Sequence, residues 1–287
     1  MTRSCRSFEG RQCALLGSKP ASPYAPGRLP SAVSPCSWRA FGRGERRHLL
    51  TRDVTLATWV DDIAGVIEAE ELTDVVLVGH SFGGRVVTGV VDRMPERVGH
   101  VVFLDSALPV SGRSLIDTMP PEMRQERLAR AAASGGVSIP APNALDLGIL
   151  DPADQAWVDR RLSPQPLGTN TSAISFQTAI GRGRPVTFVE FTDPVYPASV
   201  RAAAFARAQS GWTIEAIPTR HTAMISAPGD VAELLLRIGA DGSQGRIRGC
   251  FSGRLQRPRC CTGSRRRRAS RHSRCQRCSG PRGSRWR

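Results

Sequence analysis

The stretch Val75-Val76-Leu77-Val78-Gly79-His80-Ser81-Phe82-Gly83-Gly84 admits few folds. Four consecutive apolar residues without alternation suit a strand covered on both faces, and a helix-compatible run, Arg85 to Met94, follows at once. Gly-x-Ser-x-Gly between a strand and a helix is the setting in which a serine becomes a nucleophile. The reason is steric: the serine takes a strained backbone angle, and glycines let strand and helix approach closely around it. Such a turn lifts the Ser81 hydroxyl above the sheet and aims the Phe82 amide at the place where a substrate oxyanion forms. An ordinary Gly-rich turn would need neither the strand before it nor the helix after it.

The surrounding pattern extends this unit. Apolar residues at 56, 59, 60, 63, 66 and 67 predict an amphipathic helix ending near Leu72. Val98 to Leu104 is another apolar run without alternation, expected to be a strand covered on both faces. From Pro109 to about Arg184 the sequence changes to short helical pieces broken by Pro and Gly, with candidates at 121–133, 152–161 and 172–180. Alternation then resumes with strand 185–191, helix 198–209, strand 213–217 and helix 230–238. Strands alternating with helices imply a mostly parallel sheet covered on both faces. The segment 110–184 reads as a small helical cap over the C-terminal edge of that sheet.

Net charge of +15 suggests a nucleic-acid binder until it is located. Residues 244–287 hold fifteen Arg and no acidic residue, residues 1–40 are also basic, and 41–243 hold nineteen Arg against twenty-four acids. The body is mildly acidic between two basic ends, so no specific nucleic-acid partner is expected. All eight cysteines lie outside 41–243, so the body does not depend on disulfides. No apolar run is long enough for a membrane span or a signal peptide, which makes the cytoplasm the expected compartment. Residues 1–40 and 244–287 lack helical and strand periodicity and are expected to be disordered.

Ser81 needs a base. His221 follows the last expected strand in Pro218-Thr219-Arg220-His221-Thr222-Ala223-Met224, where a loop at the C-terminal edge of a parallel sheet reaches an elbow serine. His80 adjoins the nucleophile but points off the elbow, so a packing role is expected; His48 and His100 read as structural, and His272 lies in the tail. Two carboxylates compete for the third role. Asp105 ends the strand after the elbow helix and is flanked by core-like residues, where an unpaired carboxylate is costly. Asp193 follows strand 185–191, although Asp before Pro194 is also a frequent turn. Asp105 is preferred, with Asp193 the alternative acid.

Residues 41–240 resemble the α/β-hydrolase superfamily, specifically its branch of small bacterial esterases related to plant methyl esterases and hydroxynitrile lyases. The matching segments are Gly44 to Leu50, Val78 to Gly84, Phe103 to Pro109 and Pro218 to Pro228, in that order. The resemblance implies an α/β-hydrolase fold, a small-molecule ester substrate, no metal or organic cofactor, and a Ser-His-Asp triad carried by Ser81 and His221, with the acid after either strand. Two departures stand out. The family opens with a strand running into a His-Gly loop that donates one oxyanion-hole amide, and residues 1–40 contain no His-Gly and no expected strand. Losing one such donor costs on the order of 10²–10³ in rate. Around the base the family usually has Gly and Asp, where this chain has Arg220 and Thr222. The Arg-, Ser-, Pro-, Gly- and Cys-rich ends resemble GC-rich DNA read out of frame, so both are expected to be frameshifted translations.

Rival readings are weaker. Arg265 to Arg268 suit phosphate neutralisation, but the tail holds only Phe251 and Trp286 as stacking partners. Cys260, Cys261, His272, Cys275 and Cys278 fit no common zinc spacing. Cyanohydrin cleavage, as in the lyase relatives, asks for a cation near the leaving cyanide, typically a cap lysine, and the cap has none. A catalytically impaired remnant is the reading that the missing oxyanion loop favours.

Overall fold

The apolar runs assemble into one parallel sheet, whose strand order is fixed by the ladder between them. The computed structural model describes residues 13–16, 35–38 and 42–247. Strands β1 (Cys13–Leu16), β2 (Pro35–Trp38), β3 (Val75–His80), β4 (Val98–Leu104), β7 (Val186–Phe191) and β8 (Trp212–Ile217) lie in the order β2-β1-β3-β4-β7-β8, every neighbouring pair parallel. Between them run helices α1 (Leu56–Ala69), α2 (Gly83–Arg93) and α6 (Val200–Arg207), with α7 (Ala223–Ser226) and α8 (Pro228–Ile247) at the end.

Both parities of the central strands are buried, which explains why they read as continuous apolar runs. Val75 and Leu77, Val101 and Phe103, and Val186 and Phe188 pack with Leu56, Trp59 and Ile63 of α1, Val87 and Val90 of α2, and Ala202 and Ala206 of α6. Their neighbours Val76, Val78, Val102, Leu104, Val189 and Phe191 pack with Val231, Leu234, Leu235 and Ile238 of α8. Helix α1 starts where Thr55 and Thr58 exchange side-chain bonds with each other's amides in a capping box. It ends at Ala69, one turn before the expected boundary.

Between β4 and β7 the chain forms α3 (Pro121–Ala133), β5 (Ser138–Ile139), α4 (Pro152–Asp159), β6 (Gln165–Pro166) and α5 (Gly168–Thr171), with β5 and β6 paired antiparallel. This segment is tied to the rest by Ser172 Oγ, which accepts from the Leu56 amide at 2.9 Å, and by Thr222 Oγ1, which donates to the Leu147 carbonyl at 3.0 Å.

Three expectations are corrected. The helix expected at 172–180 is absent, because that backbone bonds across to 111–113: Gly112 donates to the Ile174 carbonyl at 2.9 Å and Phe176 to Ser111 Oγ at 3.0 Å. The expected lack of strands before residue 41 is wrong, since β1 pairs with β3 from Cys13↔Val76 to Leu16↔Gly79. Ladder bonds come from the main chain, so four residues with little side-chain pattern suffice to cover the open side of β3. Helix α8 crosses the expected boundary at 243 and ends at Ile247. The expected disorder of the rest of the N-terminal segment and of the Arg-rich tail falls outside the described residues, as does the cysteine cluster.

Candidate active site

Parallel strands bring their C-terminal ends to one edge of the sheet, and the candidate residues lie in the loops there. Ser81 follows β3, Asp105 follows β4, Asp193 follows β7 and His221 follows β8. Ser81 has φ +53° and Asp105 φ +40°, the left-handed region that ordinary side chains avoid. The surroundings hold both bends. The Ser81 carbonyl accepts from the Ala107 amide at 2.9 Å and from Gly84 at 3.2 Å, while the Ser81 amide donates to Leu104 at 3.2 Å. The Asp105 amide donates to the Val189 carbonyl at 2.8 Å. Ser106 Oγ, fully buried, donates to the Gly79 carbonyl at 2.5 Å.

The expected close approach at the elbow is present. A Cβ on Gly79 would sit 2.8 Å from Val87 Cγ2 and 2.9 Å from the Gly83 carbonyl. One on Gly84 would sit 2.8 Å from the Ala107 carbonyl oxygen. Phe82 opens α2 with helical φ and ψ, and its ring meets Trp59 edge-on at 5.5 Å. Its amide therefore lies in the first turn of α2, at the end where helix N–H groups lack intrahelical partners.

The loop after β8 completes a chain of contacts. His221 Nε2 lies 3.0 Å from Ser81 Oγ, and His221 Nδ1 lies 2.6 Å from Asp105 Oδ2. His221 and Asp105 are buried, whereas Ser81 is half-buried. An Nδ1–H donating to the carboxylate leaves Nε2 as the acceptor facing the serine. Of the two candidate acids the structure brings Asp105 to the histidine and not Asp193. Thr192 and Val195 pair across a tight turn through Asp193 and Pro194, and Asp193 is exposed. The turn use of Asp before Pro explains that residue.

Two aromatic neighbours complete the surroundings of His221. His80 is fully buried, and its Nε2 donates to the His221 carbonyl at 2.7 Å, so it fastens the base loop to β3. Tyr196 stacks on the His221 ring at 3.9 Å between centroids and 16° between planes. Sequence reasoning missed Tyr196. Its only signal was position, three residues beyond Asp193 on the catalytic edge, in a chain with two tyrosines. Burial pushes the Tyr196 phenol up from its ordinary value, and the nearby Arg127 guanidinium opposes that shift. Arg127 comes from α3 and donates to Asn170 Oδ1 at 2.9 Å. Among the described residues no cluster of three His, Cys, Asp or Glu could hold a metal ion, and no helix is long and apolar enough to cross a membrane.

Comparison with known proteins agrees with this fold. The profile of the alpha/beta hydrolase family matches residues 23–234, beginning inside the N-terminal segment rather than at 41. A carbendazim hydrolyzing esterase from Nocardioides species is 34% identical over 210 residues, covering 69% of this chain and 85% of that protein. A putative chloroplastic methylesterase of Arabidopsis thaliana is 30% identical over 98 residues, covering 32% of this chain and 25% of its relative. Among solved structures, an extracellular alpha/beta-hydrolase from a Paenibacillus species superposes with a TM-score of 0.64 at 19% identity, covering 80% of this chain and 98% of its own. With the family profile matched over residues 23–234 and a relative 34% identical over 69% of the chain, this chain belongs to the alpha/beta hydrolase family.

Proposed function

We propose that this protein hydrolyses a small carboxylic ester through an acyl-enzyme formed on Ser81. The observation that carries the reading is the unbroken run of contacts from Ser81 Oγ through the His221 ring to Asp105. Ser81 attacks the ester carbonyl while His221 Nε2 takes its proton, and Asp105 holds the imidazole tautomer and stabilises the imidazolium. The Phe82 amide donates to the tetrahedral oxyanion. His221 then protonates the leaving alcohol, and water activated by the same nitrogen releases the acid. The carbendazim hydrolyzing esterase and the plant methylesterase among the relatives support an ester as substrate. The chemistry asks for no metal or organic cofactor. The segment 110–184 acts as a cap over this edge, and its Ala, Leu, Ile and Pro content favours a small apolar acyl or alcohol group.

The lyase alternative lacks support, because the only lysine of the chain is Lys19, outside the cap. Labelling with a fluorophosphonate probe tests the proposal. The full-length protein is expected to label at Ser81 and to hydrolyse p-nitrophenyl esters, and Ser81→Ala to do neither. Folded protein that fails to label would overturn the reading in favour of an impaired remnant.

A further inference from the structure

We infer that the Tyr196 ring is a positioning residue for His221, clamping the imidazole in plane and stabilising its protonated form during turnover. The inference rests on the reading of His221 as the base and adds a fourth member to its surroundings. A centroid distance of 3.9 Å and a 16° interplanar angle put the two rings face to face. An aromatic face carries negative quadrupole density and attracts a cation, most strongly where water is excluded. His221 is 4% exposed, so the imidazolium formed on proton transfer has little solvent to disperse its charge.

The loop after β7 explains how the ring comes to be there. The turn through Asp193 and Pro194 points that carboxylate outward and returns the chain so that Tyr196 meets the histidine. The position from which this loop offers an acid in the sequence thus delivers an aromatic face, while the charge is supplied from β4 by Asp105.

Other groups around the pair are accounted for. Asp105 accepts at Nδ1, and His80 lies 4.7 Å away between centroids and donates to the His221 carbonyl rather than to its ring. Ser81 faces Nε2, and Arg220 turns its side chain against Gly148. Toward Tyr196 come Arg127 from α3 and the carboxylates of Asp105 and Asp146. Burial keeps the phenol neutral through the range in which a histidine titrates, so the ring itself, not a phenolate, faces the imidazole.

A ring face that favours the cation raises the pH at which His221 loses its proton. Replacing Tyr196 by Leu is therefore expected to move the acidic limb of kcat/KM down by about half to one pH unit and to lower the plateau several-fold. Tyr196→Phe keeps the ring and should keep the limb where the wild type has it. An imidazole NMR titration of the full chain in a Ser81→Ala background reads the same shift without turnover, so it stands apart from whether the protein hydrolyses esters. The wild type supplies a measurement that needs no Tyr196 variant: the His221 ring protons should lie upfield of those of the exposed His48, through the ring current of Tyr196. Coincident limbs for Tyr196→Leu and wild type, an equal shift in Tyr196→Phe, or unshifted His221 protons would each overturn the inference.

Discussion

At the scale of single residues, the site separates two aspartates that the sequence leaves in competition. Both follow strands that end at the same edge, and sequence position cannot tell a turn carboxylate from a triad carboxylate. In three dimensions Asp105 lies 2.6 Å from His221 Nδ1 while Asp193 is exposed, which favours Asp105 as the partner of the proposed base. Asp105→Asn is expected to lower kcat about 10⁴-fold by presenting the wrong tautomer at Nε2. Asp193→Asn should change kcat/KM less than twofold, and steady-state kinetics on one p-nitrophenyl ester compares them. Arg85 poses a different residue-scale question. Its side chain is fully buried in α2, Nη2 donates to the Arg113 carbonyl at 3.1 Å, and Nε has no partner among the described residues. Burial lowers its guanidinium to about 10. A depressed base binds fewer protons folded than unfolded, so stability should rise as pH climbs above about 10 towards the ordinary guanidinium range, and the cost is fully present at neutral pH. Arg85→Met is therefore expected to stabilise the protein by about 1–3 kcal/mol in urea unfolding at neutral pH. A loss of that size would mean that the bond to Arg113 outweighs the desolvation.

Secondary-structure elements were legible in proportion to how far their own side chains determine them. The runs 75–78 and 101–104 bury both faces, and burial on both faces writes a continuous apolar sequence. The elbow was legible because glycine is the one residue its geometry admits. Gly79→Ala would place a Cβ against the Gly83 backbone at 2.9 Å, and backbone cannot rotate away as a side-chain tip can. A cost of about 1–3 kcal/mol is expected, with loss of probe labelling at Ser81, since the strain falls on the turn that presents it. Circular-dichroism melts run beside the labelling assay would separate lost stability from a displaced nucleophile. Strands β1 and β2 were not legible, because their place in the sheet is set by main-chain pairing, β1 with β3 and β2 with β1, and not by their own pattern. The backbone at 172–180 misled in the opposite sense: its helical spacing was overridden by bonds to 111–113.

For the whole molecule, deletion should tell the two basic ends apart, because the first supplies strands β1 and β2 to the sheet. Taking away residues 248–287 removes most of the fifteen-arginine tail but no described core side chain, since the last buried apolar residue described in α8 is Ile238. That truncation is expected to keep the unfolding midpoint and ester hydrolysis of the full chain. Any RNA retention by the full chain should vanish with the tail and with added salt, as counterion release requires. Deleting residues 1–41 acts on the sheet instead. Strand β1 would no longer cover β3, so a central strand becomes an edge with a row of unpaired amides and carbonyls beside the nucleophile. The buried residues Val76 and Val78 belong to the strand that would become that edge. The expected outcome is aggregation or a sharply lower unfolding midpoint, together with loss of labelling at Ser81. A soluble N-terminal deletion with the unfolding midpoint and labelling rate of the full chain would show that β1 adds nothing to the sheet, and would make frameshifted translation the better account of both ends.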